Sequence, residues 1–280
     1  ISLQQAMSWL ESDKEFTKRI QGYQEDIDYI PANRLYLNID KQQVLDNKYV
    51  DEKYANRIVE KMDFNFNGKS YLGKHELMLL KLIEEGEWKR PLYFAVTVDP
   101  ALMRSYQRYF IHEGLVYKIA PVNRCVDTDK MYDNLCNNFR WGNIQDSTVY
   151  LDENNLRMCR TQRQMFGTLI KALCQEGKFE KAEAAIARCE EIFPKDLFPV
   201  NFVDAGLSGY QEIIEAYYMM GKTQEARALV AEAFSTSEDC LNWVFSQREG
   251  LWASGLRLAN NQLYVMQDLL SNMGSKDPEL

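Results

Sequence analysis

Between Phe166 and Ala233 the chain carries one packing pattern twice. Phe166, Leu169, Ile170, Leu173, Gly177, Ala182, Ile186 and Cys189 are followed 44 residues later by Tyr210, Ile213, Ile214, Tyr217, Gly221, Ala226, Val230 and Ala233. Large apolar residues at helical spacing, then a glycine, then an alanine on a second apolar face spell a helix folded back on its neighbour. The glycine closes a short turn, and the alanine has no bulk to hold the helices apart. Pro194 stops the first copy. Two such hairpins bury too little alone, so other parts of the chain must cover their free faces. Residues 241 to 272, with Leu241, Trp243, Val244, Phe245, Leu251, Trp252, Leu256, Leu263, Met266, Leu269 and Leu270, are expected to supply closing helices.

Upstream the pattern changes. Leu35, Leu37 and Ile39 alternate with Tyr36, Asn38 and Asp40 behind Pro31, as in a half-buried strand. Asn67-Gly68 between Phe64, Phe66 and Tyr71 predicts a hairpin. Leu77, Leu80 and Ile83 predict a helix over 73–85, Pro91 to Val98 a strand, Leu102 to Phe110 a helix and Leu115 to Ile119 a strand. Strand and helix in short alternation imply a parallel or mixed sheet covered by helices. The predicted architecture is α/β plus all-α. A small mixed or parallel sheet domain with a helical lead-in spans 1–125, a connecting segment 126–162, and tetratricopeptide-like helical repeats with closing helices 163–280. A repeat of that type has a period of roughly 34 residues, so about ten extra residues around Lys195 to Ala205 bulge between the copies.

Charge excludes one class of partner. Lys and Arg number 33 against 41 Asp and Glu, a net charge of -8, which gives no overall electrostatic support for gripping nucleic acid. No uncharged apolar run approaches the roughly 18 to 20 residues that span a bilayer. The chain begins at Ile1 with neither an initiator Met nor an apolar leader, which suggests a piece of something longer. Six cysteines show no paired C-x-x-C spacing and only two histidines are present, so neither a structural metal nor a cofactor is predicted. Buried free thiols are the expected state.

Several fragments imitate catalytic motifs. Asn67-Gly68-Lys69-Ser70 and Met220-Gly221-Lys222-Thr223 end like a phosphate-binding loop, but Asp63 and Ala216 stand where its first glycine is required. His75-Glu76 and His112-Glu113 lack the second histidine one turn on, since Leu79 and Val116 occupy those places, and surface or capping histidines are the expectation. Asp127-Thr128-Asp129 reads as a helix start, and Gly206-Leu207-Ser208-Gly209 as the cap of a repeat helix.

Two groups of residues remain as binding candidates. The inner face of the first repeat helices carries Gln164, Lys171 and Gln175 from one copy and Gln211, Glu215 and Tyr218 from the next, a polar groove suited to an extended peptide or a glycan. The alternative occupant of that groove is a segment of the chain itself. Arg140, Trp141, Asp152, Asn155 and Arg157 lie where the two halves join, either lining a cleft or cementing the junction. An enzyme reading competes, with Asp99 or Asp40 acting at the C-terminal ends of strands.

Trp88-Lys89-Arg90-Pro91-Leu92-Tyr93-Phe94-Ala95, Glu113-Gly114-Leu115-Val116-Tyr117, Arg140-Trp141-Gly142-Asn143 and Val149-Tyr150-Leu151-Asp152-Glu153-Asn154 resemble the C-terminal region of a bacterial family of polytopic membrane proteins of unknown function. Lys118 and Ala120 depart mildly from that family's text. The family's membrane half is distantly similar to protein O-mannosyltransferases. The resemblance implies a non-catalytic module that binds a protein, peptide or glycan acceptor beside its own membrane-spanning half. It also implies a place on the periplasmic face of the inner membrane. An oxidising compartment would make Cys174 with Cys189 the first disulfide to test.

Overall fold

The computed structural model describes residues 1–20, 22, 24–247 and 252–279. Leu251 and the side chain of Trp252, counted above among the closing apolar residues, lie outside them. The chain divides into two compact units, Ile1–Asp127 and Thr128–Leu280.

The first unit begins with α1 (Leu3–Glu11) and a single turn, α2 (Glu15–Lys18). Ser2 and Gln5 cap α1 reciprocally, each side chain accepting from the other's backbone N–H at 3.0–3.1 Å. Then follow β1 (Arg34–Asn38), α3 (Lys41–Asp46), a tight 3-10 stretch over Glu52–Arg57, β2 (Lys61–Asn65) and α4 (Lys74–Glu85). After these come β3 (Leu92–Ala95), α5 (Pro100–Met103), β4 (Phe110–His112), β5 (Val116–Ile119) and β6 (Cys125–Val126). The strands form two sheets, one of β1 and β2 and one in the order β3-β5-β4-β6.

The sheet is mixed, but only β4 and β6 run parallel. β3 with β5 and β4 with β5 are antiparallel. The reason lies in the links. Three residues, Glu113 to Leu115, join β4 to β5, far short of the dozen or so that a parallel crossover needs. Two further expectations are corrected. The helix predicted over Leu102 to Phe110 is α5 followed by a 3-10 turn at Gln107–Tyr109, and Phe110 already belongs to β4. Asn67-Gly68 does form a turn, with Gly68 at φ +86° and Lys69 N donating to Phe66 O at 3.1 Å, yet no strand follows it. β1 has taken the pairing edge of β2, and Phe66 N extends that ladder to Asn33 O at 2.9 Å.

The core of this unit gathers Leu3, Ala6, Leu35, Val44, Met62, Phe64, Leu80, Tyr106 and Phe110, all 0–2% exposed. Phe64 lies tilted against Tyr106 and edge-on to Tyr109 at 5.6 and 6.1 Å between ring centres, a geometry the ring quadrupoles favour.

The second unit opens with α6 (Thr128–Tyr132), which widens into one π-type turn at Asp133–Asn138. Five long helices contain most of what remains: α7 (Glu153–Gln175), α8 (Phe179–Ile192), α9 (Tyr210–Met219), α10 (Thr223–Ser246) and α11 (Trp252–Met273). α7 and α8 form one hairpin, and α9 and α10 another. Their turns have the same geometry. Gly177 sits at φ +73° and Gly221 at +75°, a left-handed conformation that glycine adopts without steric cost. Lys178 N returns to Leu173 O and Lys222 N to Tyr217 O, both at 2.9 Å. Ala182 and Ala226 are fully buried.

Where α7 meets the start of α9, a Cβ on Gly167 would lie 2.5 Å from Gly209 O, so the two backbones approach as only glycine permits. The closing helices pack through Cys240, Val244 and Ala259. Trp243, Phe245, Leu256, Leu263 and Leu270 are instead 46–60% exposed, because the pair buries one stripe of each helix and these residues lie off it.

Candidate functional site

The candidate groove residues are split between a cleft and a set of ion pairs. Gln164 on α7 and Gln211 on α9 line a cleft of about 560 Å³, together with Glu212 and the exposed Tyr264. Gln267, Asp268 and Ser271 of α11 form its opposite wall. Gln164 Nε2 donates to Glu212 Oε1 at 2.8 Å. Burial pushes the Glu212 carboxyl above its ordinary value, against the downward pull of that bond and of Lys171.

Lys171 pairs with Glu215 across α7 and α9 at 2.6 Å, and Glu215 also meets Lys276 at 3.6 Å. Tyr218 donates to Asp277 Oδ2 at 3.0 Å. Gln175 is exposed at the end of α7. α11 and the segment after it lie beside these residues, and Ala205, at the end of the stretch around Lys195 to Ala205, also lines the cleft.

The rest of that stretch is held by two buried polar side chains. Arg163, 1% exposed, donates to Ser208 O at 2.8 Å, Phe198 O at 2.8 Å, Pro199 O at 2.9 Å and Leu207 O at 3.0 Å. Its guanidinium also lies 4.7–4.8 Å from the ring centres of Phe202 and Tyr210. Burial lowers its pKa to about 10, which leaves it charged at neutral pH. Asn201 anchors the same stretch from the other side, giving its amide to Ala233 O at 3.1 Å, Ser237 Oγ at 3.0 Å and Gln262 Oε1 at 2.7 Å.

The junction residues all belong to the second unit. Trp141 packs against Phe166 and Phe193 with ring centres 5.7 and 5.6 Å away. Exposed Arg140 borders a hollow of about 260 Å³ with Arg188 and Glu191. Asp152 caps α7 by accepting from Asn155 N at 2.8 Å, and exposed Arg157 reaches Asn154 Oδ1 at 3.3 Å. The structure therefore separates Arg140 and Trp141 from the cluster of Asp152, Asn155 and Arg157 at the helix start.

Asp40 and Asp99 are both exposed helix caps. Asp40 accepts from Gln42 N and Gln43 N at 2.9 and 3.1 Å, and Asp99 from Ala101 N at 2.8 Å. No group of three or more metal-ligating side chains is found among the described residues. All six cysteines are free thiols, so Cys174 and Cys189 are not joined. Burial raises the pKa of both thiols.

Glu212, Arg227, Asp277 and the α11 wall were missed in the sequence. Glu212 follows Gln211 and Arg227 follows Ala226, but repeat spacing ranks such neighbours no higher than any other polar residue. The contribution of α11 depends on how the closing helix lies, which no local pattern records.

Residues 1–136 match the family model described as TMEM260-associated domain 2. That part of the chain is similar to a domain associated with a membrane protein, and the description states no activity. No curated protein and no solved structure matches the chain. Among the described residues, no helix is long and apolar enough to cross a membrane.

Proposed function

We propose that the chain is a non-catalytic extramembrane module of a membrane protein, and that its second unit holds an extended peptide of a protein partner. In this reading α7 to α10 are two repeats of tetratricopeptide type. The matched turns at Gly177 and Gly221 and the buried Ala182 and Ala226 support that kinship. The observation that carries the binding role is the polar cleft of about 560 Å³ between α7, α9 and α11, where Gln164, Gln211, Glu212 and Gln267 offer amide and carboxyl groups. An extended backbone needs donors and acceptors of this kind, together with an aromatic such as Tyr264 at the rim.

The periplasmic face is the proposed location, and a glycosyltransferase-like membrane half the proposed neighbour. Both follow from the resemblance described above, and the match to a membrane-protein-associated domain favours the membrane part of the reading.

Selection of a random peptide display library on the folded chain tests the reading. The expected result is a family of peptides whose binding weakens at least about tenfold in the Gln164→Ala, Gln211→Ala double variant, since two side-chain hydrogen bonds are worth about 2 kcal/mol together. No enrichment, or enrichment indifferent to both substitutions, would sink it. Retention on an oligosaccharide array in place of peptides would assign the cleft to glycan.

A further inference from the structure

Arg227 on α10 and Tyr218 on α9 both reach the segment that follows α11. Arg227 Nε and Nη2 donate to Asp277 Oδ2 and Oδ1, both at 2.6 Å, a two-point fork whose planar geometry selects a carboxylate. Tyr218 Oη adds a third donor at 3.0 Å. A second acid, Glu279, reaches Arg227 Nη2 at 2.7 Å. Asp277 is 3% exposed, whereas its neighbours Lys276, Pro278 and Glu279 are exposed. Among the described residues past α11, Asp277 therefore contributes a buried carboxylate. Lys276 of the same segment meets Glu215 at 3.6 Å, the same glutamate that Lys171 holds.

These contacts are those by which an acidic peptide is read: a fork and a hydroxyl on one carboxylate, and an acid for the lysine beside it. We propose that Arg227 and Tyr218 form a carboxylate-recognition pocket for an acidic residue of the bound peptide, and that Asp277 occupies it in cis as a displaceable stand-in. The inference rests on the peptide reading above and names the charge that such a peptide carries. The pairing holds the Asp277 carboxyl down to about 2, chiefly through Arg227, so the stand-in is charged wherever a peptide carboxylate would be. A tethered ligand acts at an effective concentration in the millimolar range, so the peptide must displace it.

The test uses the full chain and its Asp277→Ala variant, with a fluorescent synthetic peptide of the sequence of residues 274–280. A second peptide carries Asn in place of its Asp. The expected result is that Asp277→Ala binds the acidic peptide at least about tenfold more tightly than the unaltered chain. Adding Arg227→Gln should remove that gain, and the Asn peptide should lose at least about tenfold. An Asp277→Ala chain that keeps its helical circular dichroism yet binds no better than the unaltered chain overturns the pocket, and so does equal binding of the Asn peptide. Library peptides that need Gln164 and Gln211 but contain no acid would also overturn it, while leaving the cleft reading intact. Acidic-peptide binding that survives Gln164→Ala with Gln211→Ala supports the pocket and counts only against the cleft.

Discussion

His112 lies in β4 with 4% exposure, its Nε2 donating to Gly114 O at 2.8 Å and its ring 4.4 Å from the centre of Tyr117. Burial, and to a lesser extent the charge of Arg124, depress its pKa from 6.5 to about 4. The sign follows from linkage. The folded state takes up the proton less readily than the unfolded state, so the neutral ring stabilises the fold fully above pH 6.5. That stability declines as pH falls and levels off below about 4. Near pH 5 the loss amounts to about 2 kcal/mol. A wild-type chain should therefore lose more Tm between pH 7 and pH 5 than His112→Gln, and equal losses would show that another group sets the acid response. The sequence predicts His112 as a surface or capping histidine, and the structure corrects that: the ring is buried in β4. Asp40 and Asp99 were legible as acids after strands, and the structure displays both as helix caps.

At the scale of elements, periodicity located β1, β3, β5, α4 and the helices of both hairpins, because an apolar stripe is a local property. Strand pairing was not legible: β2 lies beside β1 and not beyond its own Asn-Gly turn, a choice settled by distant backbone partners. The stretch near Lys195 to Ala205 was expected as extra length between two helix pairs, while its anchoring was not legible. Arg163 fixes it through four carbonyl oxygens, which no other side chain in place of arginine could reach together. Arg163→Met removes the donor these carbonyls share, although Leu207 O still accepts from Tyr210 N at 3.1 Å, at a cost of about 3 kcal/mol. Limited proteolysis should then cut between residues 195 and 209 at least about tenfold faster than in the unaltered chain. Unchanged cleavage would mean that the Asn201 network alone secures the stretch.

For the whole molecule, the division after Asp127 gives each unit its own buried apolar cluster. A unit with its own core folds on its own, so fragments 1–127 and 128–280 should each give a cooperative thermal transition and dispersed amide spectra. A fragment without a transition would show that its core is completed from outside.

Read as text, the chain disclosed a strand-bearing half and a helical half, since each is written in residues a few positions apart. Which strand pairs with which, that α11 walls the cleft, and that Asp277 lies on Arg227 and Tyr218 became visible only in three dimensions. These joins bring together residues tens of positions apart. They depend on packing and on the desolvation of particular charges, quantities that spacing along a sequence does not encode.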